Sequence, residues 1–244
     1  EARADGPDRS FSSLPTPTGR PANAIELTRH QRAVARTVTA SRREIPDAFL
    51  LIKIDCERAL GSLAATSATA EIQVGLLEAV VWQTGRLRAD YPHFFGEVID
   101  DESFLPATAA HIGVTLDQGR GLFVPVVRDV ERLTLEQVAE TLDEYRYNAF
   151  RGEFEESSLG EGAISVALIA EPDVVFSVPV ILPRQVCMLS LCAVMEEPLL
   201  VGGDVRARRV THLGLAYDHR FINGREAGAF CRDLKNAIER WGED

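Results

Sequence analysis

The chain has 244 residues, of which 45% are hydrophobic, and its 26 basic and 37 acidic side chains leave a formal charge of -11. Such a composition describes a globular protein long enough to bury a sizeable core, and it excludes the broad positive surface that binding nucleic-acid phosphates requires. No apolar run approaches the length of a membrane span and the N-terminus has no apolar signal core, so a soluble cytoplasmic protein without membrane or nucleic-acid partners is expected.

Residues 1–24 are rich in Pro, Gly, Ser and charge and carry one aromatic residue. Too little apolar surface is available there to offset ordering, so a flexible tail is expected, followed by one folded domain over 25–244. From Leu27 to Arg43 a basic amphipathic helix is predicted, with Leu27, Val34 and Val38 on one face and Pro46 closing it. Residues 48–54 read as a strand, and the Ala/Thr/Ser stretch 64–70 as a loop.

Ile72, Leu76, Val80 and Leu87 recur at helical spacing up to Tyr91-Pro92, and Leu135, Val138, Leu142 and Tyr145 repeat the pattern later. Between these helices, 111–116 and 122–127 form a hairpin around the turn-rich segment 117–121, with Pro125 marking an edge or bulge. Residues 162–170, 174–182, 185–194 and 209–217 supply four further strands. Ala227, Phe230, Leu234, Ala237, Ile238 and Trp241 form the stripe of a terminal helix. Strand-helix alternation is irregular, so the fold class is α/β with a mixed β-sheet flanked by helices.

Of the four cysteines, Cys56, Cys187, Cys192 and Cys231, three lie in apolar runs. Cys187 and Cys192 sit five apart on one predicted strand and so face opposite ways, which argues against a disulfide or a metal pair. A reducing compartment and no metal follow.

His219 stands apart from His30, His93, His111 and His212. It ends an apolar strand, lies between Asp218 and Arg220, and precedes Gly224 and the terminal helix. Taken blindly, such a segment is an ordinary charged strand end. The same placement lets an imidazole leave the sheet for a cleft while its neighbours fix its tautomer, as a general base requires.

Asp218-His219-Arg220-x-x-Asn223-Gly224 resembles the Asp-His-Arg-x-x-Asp-Gly signature of the dihydrolipoyl acyltransferases of 2-oxo acid dehydrogenase complexes, whose fold and histidine motif chloramphenicol acetyltransferase shares. The resemblance runs from about Ile25 to Trp241. Ser41 with Ile45-Pro46, Gly113-Val114 with 121–129, and 182–189 match its opening helix, central hairpin and Pro-Gln strand in order. It implies a chloramphenicol acetyltransferase-like fold and a coenzyme A-dependent acyltransferase in which His219 deprotonates the acceptor. Ser165, after Gly160-Glu161-Gly162, aligns with a hydroxyl residue that donates to the oxyanion. Asp218, Arg220 and Asn223 are then positioning residues.

Two departures matter, the first leaving open a weakened or inactive enzyme and the second pointing to a changed acceptor. Asn223 replaces the family's usual Asp, and 165–170 lack the Asn and Gly of the usual Thr-Ile-Ser-Asn-Leu-Gly. The tail holds no lysine for a lipoyl arm, and the chain has room for neither a lipoyl nor a subunit-binding domain. Its end, 239–244, lacks an apolar docking run.

The resemblance therefore implies a homotrimer with His219 and Ser165 meeting across subunit interfaces. Acetyl-CoA is the expected cosubstrate and a hydroxyl on a small-molecule or carrier-tethered intermediate the acceptor, by analogy with the tetronate and spirotetronate acetyltransferases of antibiotic biosynthesis. The alternatives are a conventional dihydrolipoyl acyltransferase core and a trimeric scaffold that has lost chemistry. Arg184, Arg206, Arg208 and Arg209 are candidates for the coenzyme A phosphates, or a solvated surface face.

Overall fold

A computed structural model describes residues 23–117, 121–160 and 162–243. In chain order these form α1 (Arg29–Glu44), β1 (Asp47–Asp55), α2 (Glu57–Ala70), α3 (Leu76–Arg86), β2 (Glu97–Val98), β3 (Phe104–Leu105), β4 (Ile112–Asp117), β5 (Leu122–Phe123) and β6 (Val126–Val127). There follow α4 (Leu135–Arg151), β7 (Ile164–Ile169), β8 (Cys187–Cys192), β9 (Met195–Val201), β10 (Asp204–Asp218) and α5 (Gly224–Glu239). The predicted tail falls outside the described residues except for 23 and 24, and so does most of the predicted hairpin turn, 118–120.

The main sheet has the order β1-β10-β8-β7-β4-β5, with β6 beside β4 and β9 beside β10. Its β4–β7 and β7–β8 pairs are parallel and the others antiparallel, which is the mixed sheet expected. Pro125 interrupts the second arm of the hairpin between β5 and β6, as its missing N–H dictates.

Side-chain alternation divides the sheet into two faces. Ile112, Val114, Ile164, Val166, Leu189, Leu191, Leu213 and Leu215 point into the main core, where Val80 of α3, Leu142 of α4 and Phe230 of α5 meet them. Burial of each such side chain is worth on the order of 2 kcal/mol. The opposite face carries smaller groups, Ala167, Met188 and Ala216, packed with Ile181 under Phe49 and Leu182.

Three parts of the chain depart from expectation. Residues 64–70 complete α2 instead of looping, because alanine favours helix and the hydroxyls of Thr66 and Thr69 bond back to the carbonyls of Ser62 and Ala65. Residues 174–182 are not a strand. That segment crosses the sheet's second face, held where Ser190 Oγ donates to the Ser177 carbonyl at 2.7 Å. In addition, β9 and the first half of β10 form an unexpected arm, turned at Gly202 and Gly203 with φ of 62° and 94°.

The arm leaves Leu200 and Val205 about three-quarters exposed, at 75% and 74%. Leu27, just ahead of α1, and Val38 on it are exposed too, so the apolar stripe read from the sequence is not covered within this protomer. Among the described residues no helix is long and apolar enough to cross a membrane.

Candidate active site

The last residue of β10, Asp218, is fully buried, and its N–H donates to the Val186 carbonyl at 2.8 Å. Its carboxylate is clasped by Arg220, with Nε to Oδ1 at 3.0 Å and Nη2 to Oδ2 at 2.6 Å, while the Arg220 N–H also donates to Oδ1. A planar guanidinium is suited to this paired geometry, and the carboxylate holds it charged, raising its already high pKa. The clasp folds the chain back on itself, and the N–H groups of Phe221 and Ile222 close the turn on the Asp218 carbonyl.

His219 is the residue that the turn pushes outwards. Its backbone N–H is fixed to the Pro46 carbonyl at 3.1 Å, but its side chain is exposed. The ring lies 5.5 Å from that of Tyr217, and no described residue is hydrogen-bonded to it. The other described histidines differ. His111 Nδ1 accepts from the Asp129 N–H, which places any neutral-ring proton on Nε2. His93 lies 3.6 Å from Glu226, and His212 is buried with Nε2 3.9 Å from Glu197. His30 is on α1, and its side chain lies outside the described residues.

Ser165 is the second residue of β7 and is fully buried between β4 and β8. Its Oγ accepts from Gln185 Nε2 at 3.0 Å. Across the ladder stands Gly113, where an added Cβ would come within 2.5 Å of Ser165 Oγ. The turn residue Gly162 is equally constrained, since a Cβ there would lie 3.0 Å from the Gly113 nitrogen.

Ser165 pairs with Met188 on β8, and Met188 pairs with Ala216 on β10, so β8 separates Ser165 from the strand that carries His219. Two strand spacings are about 10 Å, too far for a direct hydrogen bond. The structure thus does not bring these two residues together in one protomer. A cleft of about 430 Å³ lined by Phe95, Leu105, Thr108, His111, Pro183 and Gln185, among others, opens beside Gly162 and Ala163, just ahead of Ser165.

Asn223 caps α5. Its Oδ1 accepts from the N–H groups of Arg225 and Glu226 at 3.0 and 3.1 Å, and Glu226 returns a bond to the Asn223 N–H. The arginines considered for phosphate contacts all lie in ion pairs: Arg184 with Glu97, Arg206 with Asp204, Arg208 with Asp55, and Arg209 with Glu57. All four cysteines are free and buried, and desolvation raises every thiol, Cys56 and Cys231 to about 12, so none supplies a ready thiolate. Among the described residues no group of three or more His, Cys, Asp or Glu is placed to hold a metal.

Sequence reasoning singled out His219, Ser165 and Asp218, but it missed the Gln185 contact. In the sequence Gln185 is only part of the segment 182–189 that matches the family's strand, and nothing in a separation of 20 residues signals that its amide reaches Ser165.

The family described as 2-oxoacid dehydrogenases acyltransferase (catalytic domain) matches residues 19–243. A dihydrolipoyllysine-residue succinyltransferase component of the mitochondrial 2-oxoglutarate dehydrogenase complex from Bos taurus is 30% identical over 170 residues. That match covers 69% of this chain and 37% of the relative, so the chain spans little more than a third of that curated relative's length. A solved dihydrolipoamide acetyltransferase of Azotobacter vinelandii superposes with a TM-score of 0.84 at 21% identity, over 92% of this chain and 97% of that one. A solved chloramphenicol acetyltransferase gives a TM-score of 0.53 at 14% identity, over 82% and 92% of the two chains. The fold is that of the coenzyme A-dependent acyltransferases.

Proposed function

The chain belongs to the 2-oxoacid dehydrogenase acyltransferase catalytic-domain family, and from that membership we propose that it transfers an acyl group from coenzyme A, with His219 as general base and Ser165 as oxyanion donor. The observation that carries this reading is the contrast at the end of β10. Asp218 is held by Arg220, which also pairs with Asp101, whereas the exposed His219 ring is hydrogen-bonded to no described residue. That imidazole can then take the proton of an acceptor S–H or O–H as that group attacks the thioester carbonyl. The tetrahedral oxyanion receives the Ser165 O–H, and collapse expels the coenzyme A thiolate, which recovers the proton from the imidazolium.

Because β8 separates the two residues within one chain, we place the working site between subunits of a homotrimer, His219 facing Ser165 of the next copy. The exposed Leu200, Val205, Leu27 and Val38 are the kind of surface such an assembly covers. Asn223 is compatible with the chemistry. In the Azotobacter vinelandii enzyme a serine, a histidine and an asparagine four positions after that histidine have been investigated in the catalytic mechanism. Ser165, His219 and Asn223 repeat those residue types with the same histidine-to-asparagine step.

For the acceptor we favour a hydroxyl on a small natural-product intermediate, a tetronate among them, receiving acetyl from acetyl-CoA, because 165–170 lack the family's polar and glycine positions. A dihydrolipoyl acceptor is favoured by the relatives named above. The test is mass spectrometry of products from acetyl-CoA offered with dihydrolipoamide and with a panel of hydroxyl compounds, by wild type and His219→Ala. Transfer by wild type at least about 100-fold faster than by the variant is expected; equal turnover would remove His219 from the mechanism.

A further inference from the structure

Gln185 lies just after Arg184, which adopts the left-handed conformation at φ 69°, in a turn closed by the Gln185 N–H on the Leu182 carbonyl. The turn drives the side chain inwards, where it is 5% exposed. Its Nε2 donates to the Gly162 carbonyl at 2.8 Å and to Ser165 Oγ at 3.0 Å. A carbonyl only accepts, so the atom facing Gly162 must be the amide nitrogen, and the orientation of the amide is fixed without reference to Ser165. That nitrogen has two hydrogens, and the second is aimed at the serine oxygen.

We propose that Gln185 is a positioning residue that sets the direction of the Ser165 hydroxyl. This inference rests on Ser165 acting as the oxyanion donor. An amide N–H can only donate, so it occupies a lone pair of Oγ and leaves the serine proton for another acceptor. A carbonyl or carboxylate in the same place would have drawn that proton to itself. Gly113 completes the arrangement, because any larger residue would occupy the space of the Oγ. The hydroxyl is therefore held as a donor before substrate arrives, the condition under which an oxyanion contact lowers the barrier without reorganisation.

The amide also supports the Gly162 carbonyl, and a test must separate that structural bond from the effect on Ser165. Gln185→Met removes both amide atoms at similar length, and Ser165→Ala removes the hydroxyl. The two are compared singly and combined, in the full chain. The assay follows release of free coenzyme A from acetyl-CoA, with dihydrolipoamide as acceptor and, separately, with water alone.

Loss of the hydroxyl should lower kcat on the order of 100-fold. Gln185→Met should lower kcat about tenfold with KM for acetyl-CoA within about twofold, and should have no further effect in the Ser165→Ala background. A bond needed only for the Gly162 carbonyl would cost the same in both backgrounds, so losses that multiply to about a thousandfold overturn the proposal. Gln185→Asn, which retains the amide but withdraws it by one methylene, repeats the cycle should the methionine variant fail to fold. Should His219→Ala match wild type, the catalytic reading fails and takes this inference with it. Where His219 is required and the losses multiply, this inference alone fails.

Discussion

Replacing Gly113 by alanine tests the construction of the site with a single methyl group. The added Cβ would stand 2.5 Å from Ser165 Oγ and 3.1 Å from Val124 Cγ1, whereas ordinary contact begins at 3.4 Å. The serine oxygen must then retreat by roughly 1 Å or rotate away, and either movement breaks its 3.0 Å bond to Gln185. A displacement of that size at a reacting centre costs on the order of 100-fold in rate. Overpacking of about 1–3 kcal/mol is partly offset by the roughly 0.5 kcal/mol that alanine gains over glycine in a strand, so the fold should survive with Tm lower by about 2–8 °C. The assay is coenzyme A release beside a thermal melt. Activity within about twofold of wild type would show that the position of Ser165 Oγ does not matter to the chemistry.

Further outcomes follow from the same geometry. If the site forms between subunits, refolding an equal mixture of His219→Ala and Ser165→Ala chains should restore roughly a quarter of wild-type activity, since that share of interfaces joins an intact His219 to an intact Ser165; no recovery above either variant alone contradicts the shared site. Asn223→Ala should lower stability by about 1 kcal/mol through loss of the α5 cap, read as a fall of about 2–4 °C in Tm, and Asn223→Asp, an equally good cap, should leave Tm within about 1 °C. Glu57 is held down from 4.5 to about 2 chiefly by its hydrogen bonds to Arg209. A depressed folded-state pKa stabilises above the unfolded value, so this contribution is complete above about pH 4.5 and fades as pH falls towards about 2. The pair is partly exposed, so Glu57→Gln should lower Tm by only about 1–2 °C at pH 7, with the difference vanishing by about pH 2.

How much of this was legible depended on whether a residue's role is local. The heptapeptide at 218–224 carries its own turn, because Asp218 and Arg220 clasp one another at a separation of two residues and Asn223 caps the helix it precedes. The stripe from Ala227 to Trp241 likewise records the face of α5. Composition misled at 64–70, where threonine and serine resemble a loop until their hydroxyls are seen returning to the preceding turn. It misled again at 174–182, where β-branched residues lie across a sheet without joining it. The β9 arm was hidden because Glu196, Glu197 and Pro198 break the apolar signature, although an edge strand tolerates all three. The contact of Gln185 with Ser165 was illegible because it depends on β7 and β8 lying side by side, a fact of topology.

The sheet's second face explains why positions so far apart in sequence are interdependent. Gly113, Ser165, Ala167, Ser190, Gly214 and Ala216 alternate onto it, and all are small. At Gly214 a Cβ would meet Ser190 Oγ at 2.5 Å and the Phe49 ring at 2.7 Å, as one at Gly113 would meet Ser165 Oγ. Ser190 uses its hydroxyl as a donor to the backbone that crosses above it, a structural bond completed within the chain. Ser165, on the neighbouring strand, accepts from Gln185, and among the described residues no such carbonyl receives its proton. Two serines on one face thus differ in what remains for each to donate to, and the proposed oxyanion role of Ser165 rests on that difference. The proposed role of His219 rests on a similar asymmetry at the end of β10, where Arg220 holds Asp218 and pairs with Asp101 while no described residue is hydrogen-bonded to the His219 ring.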